Sequence, residues 1–252
     1  MRSKIIVGNW KMHKTQKEAE IFVKDFYAFA NEVRKDNIIV GLAPSYLALE
    51  TVKKNAPEML VVAQNCHYEP KGAFTGDVSI PMLQEIKIDG SLVGHSERRK
   101  YQHESNLDCN QKLHALFANN MLPIYCVGET LEEYESGKGK EVIEKQVREG
   151  LANIGGRYVK SMVIAYEPVW SIGTGKNASK EIAQDICHFI RELIKELYDE
   201  EVSSKILIQY GGSVKKENVK EYLACDDIDG VLVGGASLEV DSFKELISNA
   251  KL

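Results

Sequence analysis

No stretch of this 252-residue chain approaches the roughly 18 consecutive apolar residues of a membrane-spanning helix, so no membrane partner is expected. An excess of basic charge is missing too. Lysine and arginine number 32 against 37 aspartates and glutamates, a net charge of −5 with both signs interspersed. That argues against nucleic acid or an anionic lipid surface as partner, while leaving room for a local cation cluster around a small anion. Cysteine is scarce: Cys66, Cys109, Cys126, Cys187 and Cys225 are odd in number, scattered, and nowhere spaced C-x-x-C. They read as reduced thiols. Residues 1–8 carry too short an apolar run for a signal peptide, so the expected location is cytoplasmic.

Short apolar runs, by contrast, recur along the whole chain, at 5–7, 38–42, 60–63, 92–93, 124–127, 162–165, 206–208 and 231–233. Each is near-continuously apolar rather than alternating, the pattern of parallel strands covered on both faces. Amphipathic segments lie between them. Thr15-Gln16-Lys17-Glu18 forms a capping box, after which Ala19, Phe22, Val23, Phe26 and Phe29 make one apolar stripe. Beyond Ser179, Ile182, Ile186, Phe189, Leu193 and Leu197 repeat the pattern. The units share a structure rather than a repeated sequence, and no Pro/Ser-rich linker separates them. Eight strand–helix units in about 250 residues predict one (β/α)8 barrel domain over residues 1–252, with an open doubly wound sheet as the alternative.

The placement of chemistry discriminates between these folds. Asn9 and Lys11 follow the first strand, and His95 and Glu97 end the fourth. Glu167 ends the sixth, Gly211-Gly212-Ser213 the seventh and Gly234-Gly235 the eighth. An open sheet spreads its tips along a line; a barrel gathers them into one ring.

Each tip suggests a task. Glu167 is a carboxylate on a strand end, and Pro168 removes a backbone donor and stops the ladder there. An aromatic hinge and the glycines and lysine of Ile172-Gly173-Thr174-Gly175-Lys176 follow, which suits a segment that closes over whatever the base attacks. Paired glycines on adjacent strand ends let backbone N–H groups approach a phosphate, and a short helix after Gly235 would add its N-terminal dipole. Lys11, between Trp10 and Met12, would hold a fixed cation in the ring and stabilise a developing oxyanion. His95 stands just before a helix opened by Ser96 and Glu97, whose dipole disfavours imidazolium and keeps the ring neutral. Other patterns fail. Gly173-Thr174-Gly175-Lys176-Asn177-Ala178 fits G-x-G-x-x-A, but no strand runs straight into it. His95-Ser96-Glu97 has no P-C-x-x-C to complete a zinc deaminase site. No metal and no cofactor are predicted.

Taken together, Gly8-Asn9-Trp10-Lys11-Met12, Val93-Gly94-His95-Ser96-Glu97-Arg98-Arg99, the segment from Ala165 to Lys176, Tyr210-Gly211-Gly212-Ser213-Val214 and Val233-Gly234-Gly235-Ala236-Ser237-Leu238 resemble the triosephosphate isomerase family, in that family's order. The resemblance implies interconversion of dihydroxyacetone phosphate and D-glyceraldehyde 3-phosphate, in glycolysis and gluconeogenesis. It implies Glu167 as the base, His95 as a neutral electrophile and a closing lid, roles that come with the family. It further implies that Lys11 and Asn9 hold and polarise the substrate, and that Glu97, with Ser96 beside it, supports Lys11. Backbone around Gly173, Ser213, Gly234 and Gly235 would grip the phosphate. A homodimer through the long loop 65–79 is also implied, with Thr75 packed beside Asn9 and Lys11 of the other subunit. His13 and Asp77 depart from the family's usual Asn and Glu. Two rival functions stand beside this one: a Schiff-base aldolase with Lys11 as nucleophile, and a phosphosugar-binding protein without catalysis.

Overall fold

The computed structural model describes residues 2–172 and 178–251. Among them, eight parallel strands close into one barrel in sequence order. They are β1 (Lys4–Asn9), β2 (Ile38–Ala43), β3 (Leu60–Ala63), β4 (Gly90–Val93), β5 (Leu122–Val127), β6 (Val163–Tyr166), β7 (Leu207–Tyr210) and β8 (Gly230–Val233). Helices fill the connections, and β8 pairs back onto β1, with Gly230 opposite Ile5 and Val233 opposite Gly8. The single-domain barrel expected from the run count is the fold. Among the described residues, no helix is long and apolar enough to cross a membrane.

The near-continuous apolar character of the strands follows from closure. Ile5, Val7, Val62, Leu92, Ile124, Cys126, Val163, Ala165 and Leu232 form one buried cluster that fills the barrel. Their alternates, among them Ile6, Val61, Val93, Tyr125, Ile164, Ile208 and Val231, belong to a second cluster with the helices. Apart from Ile39 of β2 and the first residues of some strands, both faces of the strands are therefore dry, and neither can be polar without a partner.

The helix Gln16–Val33 begins as its capping box requires: the Thr15 backbone N–H donates to Glu18 Oε2 at 2.8 Å, and the Glu18 N–H donates to Thr15 Oγ1 at 3.4 Å. It buries Ala19, Phe22, Val23 and Phe26, with Phe29 half-buried at its flank. Phe26 stacks on Phe243 of the last helix, Val240–Asn249, at 5.2 Å, which joins the two ends of the outer layer. In the helix Lys180–Leu197 the buried stripe is rotated from the expected one. Ile186 and Leu193 of that stripe are buried together with Ala183, Cys187, Ile190 and Ile194, while Ile182, Phe189 and Leu197 are half-buried flanks. A helix packed on a barrel has two neighbouring helices as well, so its apolar arc is wider than one line of contacts.

Two strands begin with seven-residue segments that differ at one position, Ile88-Asp89-Gly90-Ser91-Leu92-Val93-Gly94 at β4 and Ile228-Asp229-Gly230-Val231-Leu232-Val233-Gly234 at β8. In both, the aspartate joins three strands. Asp89 Oδ2 accepts from Val61 N–H of β3 at 2.7 Å, while its carbonyl accepts from Leu122 N–H of β5 at 2.9 Å. Asp229 Oδ2 accepts from Ile208 N–H of β7 at 2.9 Å, and its carbonyl accepts from Ile5 N–H of β1 at 2.9 Å. Asp229 is also paired with Arg191 Nη2 at 2.6 Å, and Arg191 Nε reaches Asp227 at 2.7 Å; Arg191 and Asp229 are buried. Asp229 thus stands at the seam where the barrel closes. Replacing Arg191 by Met keeps the apolar stem but takes the buried cation from both carboxylates, leaving Asp229 with Arg2 alone and Asp227 with Gln184 and His188. The expected cost is about 3–5 kcal/mol, read as a lower urea midpoint at fixed protein concentration with an unchanged far-ultraviolet spectrum; an unshifted midpoint would refute it.

Candidate active site

Closure brings the chemistry-bearing strand ends to one cavity of about 550 Å³, lined by Asn9, Lys11, His95, Glu167, Ile172, Ser213, Gly234 and Gly235 among others. Glu97 lines an adjoining hollow of about 200 Å³ together with Asn9, Lys11 and His95. Of the residues singled out from the sequence, Gly173 lies outside the described residues, as do Thr174, Gly175 and Lys176 of the expected lid.

Lys11 is held under backbone strain. Its φ is 52°, the left-handed region that a non-glycine residue occupies only at a cost on the order of 1–3 kcal/mol. Its neighbours fix it there. Trp10 is fully buried and donates Nε1–H to the Ser237 carbonyl at 3.1 Å. The Lys11 N–H donates to Asn9 Oδ1 at 3.0 Å, and Gln64 Nε2 donates to the Lys11 carbonyl at 2.8 Å. The ammonium then reaches Glu97 Oε1 at 2.6 Å, so the lysine is a positioned, half-buried cation.

His95 caps the helix Ser96–Gln102: Glu97 N–H donates to Nδ1 at 3.2 Å. A nitrogen that accepts a hydrogen bond carries no proton, so the ring's proton sits on Nε2. That Nε2 faces Glu167 Oε1 at 3.0 Å, and Glu167 Oε2 accepts from Ser96 N–H at 3.0 Å. Both side chains are buried, with relative exposures of 7% and 3%. The carboxylate is thus parked on the histidine and the start of the helix.

The protonation balance depends on that parking. Burial, the strongest single influence on His95, lowers its pKa, but the Glu167 carboxylate and then Glu97 outweigh it and the net direction is upward. Burial likewise pushes Glu167 up, and His95, the Ser96 N–H and Lys11 together bring it below the ordinary value. The helix dipole invoked from the sequence is therefore not the dominant influence while Glu167 rests here. Once the carboxylate leaves, burial, Lys11 and the donor at Nδ1 remain and disfavour imidazolium, with only Glu97 on the other side. Glu167→Gln should accordingly move the His95 midpoint downward from its wild-type position in nitrogen-15 NMR of the imidazole. Identical midpoints in the two proteins would show that the ring does not sense this carboxylate.

The segment that follows Glu167, the start of the expected lid, is anchored by a residue the strand-end reading missed. Glu129, just past β5, accepts from Trp170 Nε1 at 2.8 Å and from the Tyr166 hydroxyl at 3.0 Å, while its carbonyl accepts from Val169 N–H at 3.0 Å. Gln64, just past β3, was missed in the same way. Gln64 was findable as the polar residue directly following a barrel strand, whereas Glu129 stands one residue further on and bonds Tyr166 and Trp170 outside the cavity, a contact no strand-end rule contains. The glycines prove to have different grounds. A side chain at Gly212 would strike the Tyr210 hydroxyl at 2.2 Å, whereas at Gly234 it would meet only Lys11 Cε at 3.6 Å, so bare backbone faces the cavity there.

A family model described as triosephosphate isomerase matches residues 4–250. Among curated relatives, the triosephosphate isomerases of Streptococcus pneumoniae serotype 19F (strain G54) and Streptococcus mutans serotype c (strain ATCC 700610 / UA159) are each 48% identical over 253 residues, covering 99% of both chains. That of Streptococcus pyogenes serotype M2 (strain MGAS10270) is 47% identical over 249 residues, covering 98% of both. A match of this extent, on a closed eight-stranded barrel whose strand ends carry the quoted motifs, places the chain in the triosephosphate isomerase family of glycolytic isomerases.

Proposed function

We propose that this isomerase works by proton transfer through an enediolate, with Glu167 as base, His95 as neutral electrophile and Lys11 as electrostatic stabiliser. The observation that carries the reading is the meeting of Glu167 and His95 at 3.0 Å in the cavity that also holds Lys11 and the bare Gly234 and Gly235 backbone. The phosphate of the triose would lie against the N–H groups of Ser213, Gly234 and Gly235, with Gly173 completing the grip. The carbonyl end would then lie toward His95 and Lys11. Glu167 turns off Ser96 and His95 to take a proton from the carbon next to the carbonyl, and returns it to the neighbouring carbon. His95 Nε2–H donates to the substrate oxygen as negative charge develops, and the Lys11 ammonium stabilises the same charge. Asn9 steadies the Lys11 backbone and reaches the substrate, while Glu97 and Ser96 orient Lys11 and Glu167. No step needs a cofactor. Pro168 and the turn Val169–Ser171 form the root of the lid, which shields the enediolate from water and suppresses loss of phosphate.

Glu167→Asp shortens the reach by one methylene and should lower kcat on the order of 10²-fold; Glu167→Gln, with no proton acceptor, should lose more while KM changes little. Solvent deuterium should stop entering the product in step. A Glu167→Gln protein that folds and retains over a tenth of the wild-type kcat would sink the base assignment, and borohydride trapping of substrate on Lys11 would favour an aldolase.

We further infer a homodimer docked through loop 65–79. The loop is preformed: His67 stacks against Tyr68 at 4.5 Å and Phe74 at 4.1 Å, its N–H donates to the Val78 carbonyl at 2.8 Å, and Nε2 lies 3.7 Å from Asp77. The departure at Asp77 therefore has a use within its own loop. Apolar side chains stand in water beside it, Met12 at 95% and Leu47 at 79% exposure, with Phe74 at the loop tip. The hollow beside Asn9, Lys11, Tyr46 and Glu97 offers a seat for the partner's tip. Replacing residues 68–77 by a short turn should give a folded monomer with much weaker activity. Sedimentation showing a monomeric, fully active wild type at micromolar concentration would overturn the inference.

A further inference from the structure

Gln146 lies within the helix Gly139–Gly150, away from every strand end, and is buried. Its carboxamide makes both of its bonds to a single residue. Gly128 N–H donates to Gln146 Oε1 at 2.7 Å, and Gln146 Nε2 donates to the Gly128 carbonyl at 3.0 Å. The helix is itself fixed at this point, because the Tyr125 hydroxyl of β5 donates to the Gln146 carbonyl at 2.6 Å.

What Gly128 touches gives this clasp its meaning. The pairing of β5 with β6 ends at Val127 and Tyr166, and the next residue on each side is Gly128 and Glu167. Glu167 N–H donates to the Val127 carbonyl at 2.7 Å. Gly128 lies flat against the Glu167 carbonyl, so close that a Cβ there would stand 1.8 Å from it. Glu129 follows and holds Val169 through its carbonyl and Trp170 through its carboxylate. Three consecutive residues therefore support the Glu167 backbone and the root of the lid, and the middle one is gripped by Gln146.

We infer that Gln146 is a positioning residue that, through its two bonds to Gly128, holds the backbone of Glu167 and the anchor of the lid in register with the substrate. The inference rests on Glu167 being the base. A carboxamide suits the task because it presents one donor and one acceptor side by side, the match to a peptide group, and so continues a ladder that the strand itself no longer supplies. It touches neither substrate nor reacting atoms, and it acts through geometry alone.

Two variants test it. Gln146→Met keeps the length and apolar bulk but removes both bonds. Since a displacement of about 1 Å at the reacting centre costs on the order of 10²-fold, kcat should fall roughly 10- to 100-fold with KM within about threefold. A loosened lid root should also raise severalfold the fraction of turnover ending as methylglyoxal and inorganic phosphate. Gln146→Glu carries its own switch. Ionised, the introduced carboxyl accepts from Gly128 N–H but faces the Gly128 carbonyl without a proton. Protonated, it presents donor and acceptor as the carboxamide does. Its kcat relative to wild type should therefore rise as pH is lowered from about 8 to about 5.5, burial having shifted that carboxyl upward. A role confined to stability would not produce that profile. A folded Gln146→Met protein with kcat within twofold of wild type overturns the inference, and if that variant does not fold, a pH-independent ratio for Gln146→Glu does so. Glu167→Gln measured alongside separates the two levels: an active Glu167→Gln removes the base beneath this inference, whereas an inactive one beside a wild-type-like Gln146→Met removes only the role of Gln146.

Discussion

The ladder between β8 and β1 is the contact on which the site depends. It sets Val233 beside Gly8, and so brings the loop after the last strand against the loop after the first. With it formed, Gly234 and Lys11 line the same space, so that a cation and a bare peptide edge from opposite ends of the chain look into one cavity. Asp229 reinforces the seam by bonding β7 and β1 at once while a buried arginine neutralises it. The same aspartate device at β4 shows that the barrel is stitched twice, half a turn apart.

Rigid strand ends then allow the site to hold groups that would not stay put elsewhere. Lys11 keeps a left-handed backbone because Asn9 and Gln64 satisfy its peptide groups on both sides. Glu167 and His95 hold each other in a dry environment where each alters the other's affinity for protons. Such a pair is poised, since the movement of one carboxylate changes the charge preference of the ring it leaves. Parking the carboxylate on a helix N-terminus and a histidine keeps a buried charge satisfied.

Around these groups lies a supporting tier with no reactive chemistry of its own. Gln64 donates to the Lys11 carbonyl, Glu129 accepts from Tyr166, Trp170 and the Val169 N–H, and Gln146 uses the donor and acceptor of its amide on the peptide groups of Gly128. They extend order from the sheet into loops that a strand ladder cannot reach, a requirement for any site tolerant of less than about 1 Å of error.

Much of this was legible in the amino-acid sequence. The eight apolar runs marked the strands within a residue or two, because strands dry on both faces must be apolar throughout, and Thr15-Gln16-Lys17-Glu18 started its helix where a capping box has to. The clustering of Lys11, His95, Glu167 and Gly234 was inferable once a barrel was chosen, since closure alone turns strand ends into neighbours. What tertiary structure decided was contact between elements distant in the chain. The buried arc of the helix Lys180–Leu197 depends on which helices flank it, so periodicity placed the stripe slightly off. The rise in the His95 pKa comes from a carboxylate on another strand, an influence no local pattern around Ser96 contains. Gln146 reads in sequence as a polar residue inside a helix, and only its approach to Gly128 gives it a task. Local rules of hydrogen bonding and periodicity act within a few residues and are written in the sequence. Distances and charges across the barrel exist only once the chain has closed.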